Sequence, residues 1–456
     1  MKDLVVTFRG LLGIDLSIFY TILAKILQAS GALIIIGLIS FFLTKEEQGY
    51  YYTFSSILAI QVFFELGLTS IITQYVAHEA VHIQWVTTSE VTGPPEKLSR
   101  LASILILCLK VFGILTAILF FALLIGGFLF FSNYKLVSLN VNWQFPWVIV
   151  CLSTSLMLLI NPILAFLEGL GQVKEVAQLR MQQQLLTLLI LVFVLTAKGG
   201  LYAQGIASLL AFCLLAGNLF FSSKKLLLIN IFGHRDRWKV SYRKEIFPYH
   251  YKIALSWVSG YLIFQLFNPV LFATQGPIVA GQMGMTLAAL NGVSAISMSW
   301  INTKITLFSS LIAQKKFSDL DIIFNKTVRQ LTIINGSLLL VFIGILLVLE
   351  EVYLPVRSRF LPIVPTVLLC LTVFVNQFVF SWAAYLRCHK EEPFLLISVL
   401  NGIFCVISTL TLGRYFGVMG MVVGYTILTV ILGGLGGIMF LLPRKKHGTN
   451  FYLLKC

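Results

Sequence analysis

Short polar loops divide this chain into twelve apolar stretches, each near or above the roughly 20 residues that an α-helix needs to cross about 30 Å of hydrocarbon. They run from Ser17 to Leu43, Tyr50 to Tyr75, Leu101 to Phe131, Phe145 to Glu168, Val173 to Ala197, Leu201 to Phe221, Tyr251 to Ala273, Ile278 to Thr306, Leu331 to Val352, Pro362 to Leu386, Phe394 to Leu412 and Gly417 to Leu442. With 58% hydrophobic residues, 11% charged ones and a mean hydropathy of +0.92, the surface of such a chain suits lipid and excludes a water-soluble fold. The expected fold class is therefore an all-α polytopic membrane protein of about 12 transmembrane helices. Its first span is longer than a signal-peptide core and lacks a small-residue cleavage site, so it is expected to be retained.

The loop charges orient the bundle. Of 33 Lys and Arg residues, five fall inside the spans (Lys25, Lys110, Arg180, Lys252 and Lys304), with Lys174, at the edge of the fifth, counted with its loop. Six lie in loops on one side (Lys45, Lys135, Lys198, Arg357, Arg359 and Arg414), which leaves 22 on the other. The positive-inside bias then expects both termini on the cytoplasmic side. The net charge of +15 reads as topology and contact with anionic headgroups of membrane lipids, with no nucleic acid as partner.

Ionisable groups inside spans cost about 2.5 to 3.5 kcal/mol each on insertion scales, so they tend to face a cavity or a partner. The five intramembrane cations are thus candidate substrate-binding residues lining a positive inner cavity, with headgroup snorkelling the competing reading, strongest for Lys252 and Lys304. Polar stripes at helical spacing run beside them: Thr21, Lys25 and Gln28, and Arg180, Gln183, Gln184 and Thr187. Glu65, on one stripe with Gln61 and Thr69, is a candidate for ion coupling or for an ion pair with Lys25. The prolines of Asn161-Pro162 and Asn268-Pro269 interrupt the helical ladder and are expected to bend their spans, as hinges or as static kinks. Tyr50, Tyr51, Tyr52, Trp143 and Trp147 are expected in interfacial belts.

Two short motifs point away from chemistry. His78-Glu79-Ala80-Val81-His82 matches H-E-x-x-H, but no third ligand is evident, so no metal site is expected. The seven cysteines show no C-x-x-C pair and read as packing residues. A Walker-type phosphate loop is lacking, and the loops leave little room for a catalytic domain, so no cofactor is expected and the chain is not expected to be an enzyme.

The polar stretch around 223–250 divides the spans six and six, which gives expected domains at 1–222 and 251–456 joined by a basic connecting loop, as in transporters built from two six-helix lobes. The run Leu43 to Glu79, LTKEEQGYYYTFSSILAIQVFFELGLTSIITQYVAHE, resembles the second-span region of bacterial polysaccharide flippases, which export lipid-linked O-antigen or related repeat units within the multidrug/oligosaccharidyl-lipid/polysaccharide (MATE-like) superfamily. The resemblance implies two lobes around a central cavity, alternating access, and translocation of undecaprenyl-pyrophosphate-linked oligosaccharide, with polysaccharide polymerase machinery as a further partner. A basic vestibule suits a pyrophosphate, and an interior-negative potential favours moving two negative charges outward by about 4 to 5 kcal/mol per 100 mV. Ion antiport through Glu65 is an optional addition. The alternative is a MATE-like multidrug or cation exporter, and a membrane glycosyltransferase or an intramembrane protease stands behind both.

Overall fold

A computed structural model describes residues 31, 34–87, 89–132, 141–234, 238, 240, 245, 247–352, 355–389 and 394–446. The described chain is nearly all helix, as expected for backbone in a medium that offers no hydrogen bonds of its own. In order, the helices are α1 (Lys45–Leu58), α2 (Leu68–Ala80), α3 (Pro95–Ser132), α4 (Gln144–Gly169), α5 (Val173–Thr196), α6 (Tyr202–Phe221), α7 (Ser223–Gly233), α8 (Phe247–Phe264), α9 (Phe267–Gln275), α10 (Pro277–Asn302), α11 (Ile305–Ala313), α12 (Phe317–Glu351), α13 (Ile363–Cys388) and α14 (Leu395–Lys446). Between α2 and α3 lies a two-stranded antiparallel hairpin, β1 (Gln84–Trp85) with β2 (Val91–Thr92).

Ten helical runs among the described residues are long and apolar enough to cross a membrane. Two differences from the sequence expectation account for the count of twelve. Most of the first expected span lies outside the described residues, and the last two fall within α14, which breaks at Gly417 (φ 61°, ψ −143°). At 38 residues, α3 extends about 57 Å, well beyond the hydrocarbon thickness, so one end of it stands in the polar layer.

The expected second span is not one continuous helix. After α1 the chain passes through a 3-10 turn, Ala59–Gln61, and one helical turn, Val62–Glu65, before Leu66 (φ 45°) and Gly67 (φ 73°) take left-handed conformations. Glycine adopts that region freely and leucine does so at a cost of order 1 to 2 kcal/mol, so the break needs outside support. His250 supplies it: its Nε2 lies 3.1 Å from the Leu66 carbonyl oxygen that the break frees.

Contacts gather the chain into two compact units. In the first, residues 57–257, α4 is the central helix, packing against α2, α3 and α6. Trp147, expected at an interface, is buried there and donates its Nε1–H to the Leu123 carbonyl at 3.2 Å. The second unit joins residues 39–56 to Val258 onward, built around α10 and the α13–α14 pair. Relative to the boundaries read from sequence, residues 39–56 thus fall with the second unit and the described part of 223–250 with the first.

Small residues make the packing of 39–56 possible. A Cβ on Gly49 would land on the Pro277 carbonyl, and one on Gly281 would lie 2.9 Å from the Gly49 nitrogen, so α1 and α10 cross backbone to backbone. Gln48 ties the crossing, its Nε2 donating to the Gly281 and Arg359 carbonyls, each at 2.9 Å. Arg359 answers with a 2.6 Å bond from its Nη2 to the Leu43 carbonyl. Tyr50, Tyr51 and Tyr52 are buried in this unit instead of forming a belt, Tyr50 lying edge-on to Phe272 at 4.9 Å. The replacement Gly49→Ala is expected to destabilise the second unit by about 1 to 3 kcal/mol through overpacking, whereas Gly292→Ala, whose Cβ meets nothing, is expected to be neutral or mildly stabilising. Thermal unfolding of the purified protein in detergent checks both.

Candidate functional site

The site begins with a missing backbone donor. Pro269 stands in the first turn of α9, where it lacks the N–H that would bond the Gln265 carbonyl, and the run from α8 into α9 is interrupted just before it, at Gln265 and Leu266. Around it, Gln265 still donates to Tyr261 at 2.9 Å and Val270 to Leu266 at 3.1 Å. The break turns Phe264, Gln265, Phe267 and Asn268 toward a cavity of about 420 Å³ inside the second unit. Tyr52, Ser55 and Ser56 of α1 line another part of it, with Gly284, Asn291 and Ser294 of α10, Asn376 and Phe380 of α13, and Tyr425 of α14.

Among the described residues, no Lys, Arg, His, Asp or Glu lines this cavity. Its polar groups are amides and hydroxyls, and the remainder is largely aromatic. Asn268 Nδ2 donates to Ser56 Oγ at 2.9 Å, and Asn376 Nδ2 to the Tyr425 hydroxyl at 3.2 Å. Two polar atoms find no hydrogen-bond partner among the described residues, Asn268 Oδ1 and the Tyr52 hydroxyl, on side chains with only 6% and 8% of their surface exposed. A buried polar group left unpaired costs about 1 to 3 kcal/mol, and these two atoms are themselves covered by protein, so that cost is held in the walls of the cavity. Phe267 and Tyr425, 5.0 Å apart, give flat apolar faces beside these groups. Such a chamber suits a neutral ring-bearing or hydroxylated molecule better than a naked charge.

None of the described residues expected from sequence to line a cavity lines this one. Lys25 and Gln28 lie outside the described residues, as does the side chain of Lys252 on α8. Lys110 is exposed one and two turns before the exposed Ile114 and Ile118 of α3. Arg180 is half-exposed, with Glu168 3.8 Å away, a geometry worth little in a solvated setting. Lys304 is exposed at the break between α10 and α11. Glu65 accepts a 2.5 Å bond from Thr69 Oγ1, joining two of the three expected stripe members across the left-handed break, and Gln61 sits in the 3-10 turn before it. Gln183 Nε2 reaches Met157 Sδ at 3.8 Å while its carbonyl accepts from Thr187; Gln184 lies beside it, partly buried. No described charged group belongs to the cavity; its amides carry no charge to mark them in the sequence, and Asn268-Pro269 is the one sequence signal for it.

The H-E-x-x-H glutamate has a structural task. Glu79 is buried at the end of α2, where Lys97 Nζ approaches it at 2.9 Å and Arg100 Nε at 2.6 Å. Arg100 also reaches Glu245 at 2.7 Å, and Tyr75 donates its hydroxyl to the Glu245 backbone carbonyl at 2.5 Å. The carboxylate that a metalloprotease would turn on water is here held between two cations. Among the described residues no group of three or more His, Cys, Asp or Glu gathers to hold a metal.

No family profile matches the sequence, and neither does any curated protein sequence. Solved structures do match in shape, over nearly the whole chain. One described as the inward-facing conformation of a multidrug resistance MATE family transporter of the MOP superfamily aligns with 92% of this chain and 96% of its own, at TM-score 0.67 and 14% identity. This is the MATE fold. A ligand complex of the MATE multidrug transporter DinF-BH matches at TM-score 0.57 and 16% identity, covering 94% of this chain and 95% of that one. A MOP superfamily transporter from Pyrococcus furiosus, described by the reversed polarity of its binding pocket, matches at TM-score 0.53 and 15% identity, over 94% of each chain.

His250 provides a pH test of the break that flanks Glu65. Burial, the larger influence, pulls its ring pKa below the ordinary histidine value, while the Leu66 carbonyl opposes that shift. A base with a lowered folded pKa contributes stability above its unfolded value, about 6.5, and loses it as pH falls through that value toward the folded one. The unfolding temperature is therefore expected to fall as pH drops through about 6.5 and below, with a shallower dependence in His250→Gln.

Proposed function

We propose that this protein is a membrane transporter that carries an amphiphilic, largely uncharged organic molecule by alternating access, in the manner of multidrug-type MATE carriers. The observation that carries the reading is the broken α8–α9 run opening an uncharged cavity of amides, hydroxyls and aromatic rings in a chain with the MATE fold. Broken helices at a midplane cavity are where secondary transporters place substrate, because backbone freed from the ladder is tolerated only around such a space. The 22-to-6 loop bias supports both termini on the cytoplasmic side, and the flippase-like run Leu43 to Glu79 supports a bacterial inner membrane. Glu65, at the left-handed break with Thr69 for partner, supports an ion-coupling role.

A second reading, translocation of undecaprenyl-pyrophosphate-linked oligosaccharide, rests on the flippase-like run Leu43 to Glu79 and on the same lining, since amides with aromatic faces also hold sugar rings. It ranks behind because a pyrophosphate leaving water needs cations or N–H donors, and the described lining presents no cation. In that reading the polysaccharide polymerase machinery is the downstream partner, and Lys25, Lys110, Arg180, Lys252 and Lys304 supply the positive vestibule.

Proteoliposomes under an imposed potential separate the readings. Accelerated movement of a neutral aromatic dye, with its half-saturation concentration raised about fivefold in Asn268→Leu by loss of one hydrogen bond of about 1 kcal/mol, is the expected result. Movement of a fluorescent lipid-linked oligosaccharide without dye movement selects the flippase reading. Failure to move either substrate overturns both. The triple replacement Lys110→Gln, Arg180→Gln and Lys304→Gln is expected to leave dye movement intact and to slow only a phosphorylated substrate.

A further inference from the structure

We propose that α7 is a membrane-surface helix whose outer face lies in the headgroup layer and binds anionic phospholipid. The chain turns where a candidate span ends: α6 stops at Phe221, and Ser222, in extended conformation (φ −108°, ψ 171°), caps the next helix by accepting the Lys224 N–H at 3.3 Å. With 11 residues α7 is too short to cross the bilayer, yet it starts at its edge.

Its two faces differ in what covers them. Leu227 and Ile231 are fully buried on the side that packs against α3 and β2, where the Val91 N–H points to Asn230 Oδ1 at 3.5 Å. The other side bears Leu226, Ile229 and Phe232, exposed by 59%, 55% and 37%, with exposed Lys225 among them. An apolar strip continuous with the end of a lipid-embedded helix is out of place in water and at home in the headgroup–acyl boundary.

Charge identifies the lipid. From Lys224 to Lys244 the sequence carries seven Lys and Arg against the single acid Asp236. Lys224 is engaged with Asn218 Oδ1 at 3.0 Å, which leaves Lys225 as the cation on the outer face. A Lys or Arg near an anionic leaflet is attracted to it and gains nothing comparable from a zwitterionic one, so α7 is placed to distinguish the two.

The test uses the full chain in liposomes of phosphatidylethanolamine and phosphatidylglycerol, with Cys213, Cys388 and Cys456 replaced by serine. A spin label is attached in turn at Leu226→Cys, Ile229→Cys and Phe232→Cys. Collisions with dissolved oxygen are expected to exceed those with a water-soluble nickel chelate severalfold at all three positions. Adding Lys225→Glu is expected to shift the Ile229→Cys label toward water in these liposomes and to leave it in place in phosphatidylcholine alone. Nickel collisions dominating would mean a water-facing helix, and silence toward both reagents a face covered by protein such as a second copy; either result overturns the proposal. An equal response to Lys225→Glu in both lipids overturns its anionic-lipid part.

Discussion

Unpaired backbone in hydrocarbon costs several kcal/mol per group, and the breaks within the described spans are shaped by that penalty. Continuous helix is the default answer, so each interruption needs both a cause in sequence and a partner in space. At Leu66 and Gly67 the cause is a glycine and the partner is His250. At the α8–α9 junction the cause is Pro269, and the surroundings are a chamber of amides and hydroxyls. At Gly417 a left-handed residue divides α14 where two spans were expected, with the Gln275 side chain occupying the space that any larger residue would need.

The helical architecture was legible because apolar run length is a strong signal, and the helices sit close to where the hydropathy places them. The interior was less legible. Tyr50, Tyr51 and Tyr52 look like a belt because aromatic residues near a span end usually are one, but Gly49 and Gly281 allow α1 to approach α10 so closely that the three rings are enclosed. Glu79 looks like half of a metal motif until Lys97 and Arg100, some 20 positions later, fold back onto it. The cavity was the hardest feature to foresee. Charged residues attract notice in an apolar chain because their burial is costly, whereas Gln265, Asn291 and Asn376 carry no formal charge and recur at no helical period that marks a shared chamber.

That neutrality has its own selectivity logic. A charged pocket discriminates by long-range attraction, while a neutral one discriminates by shape and by the matching of donors to acceptors. In the proposed reading, the amides and hydroxyls that line the cavity, Gln265, Asn291 and Ser294 among them, are the groups a guest must match. The aromatic walls between them accept flat surfaces of many kinds. In the proposed reading this arrangement combines breadth toward ring systems with discrimination by hydrogen bonding.

The backbone crossing of Gly49 with Gly281 bears on biogenesis. Gln48 reaches its carbonyl acceptor at Gly281 across a sequence separation of 233 residues. During synthesis, therefore, the segment 39–56 leaves the ribosome long before the helices that enclose it exist. Its glycine, its three tyrosines and its glutamine must wait at the insertion machinery or among lipids until the second half of the polypeptide arrives, which makes docking of this early segment a late event in maturation.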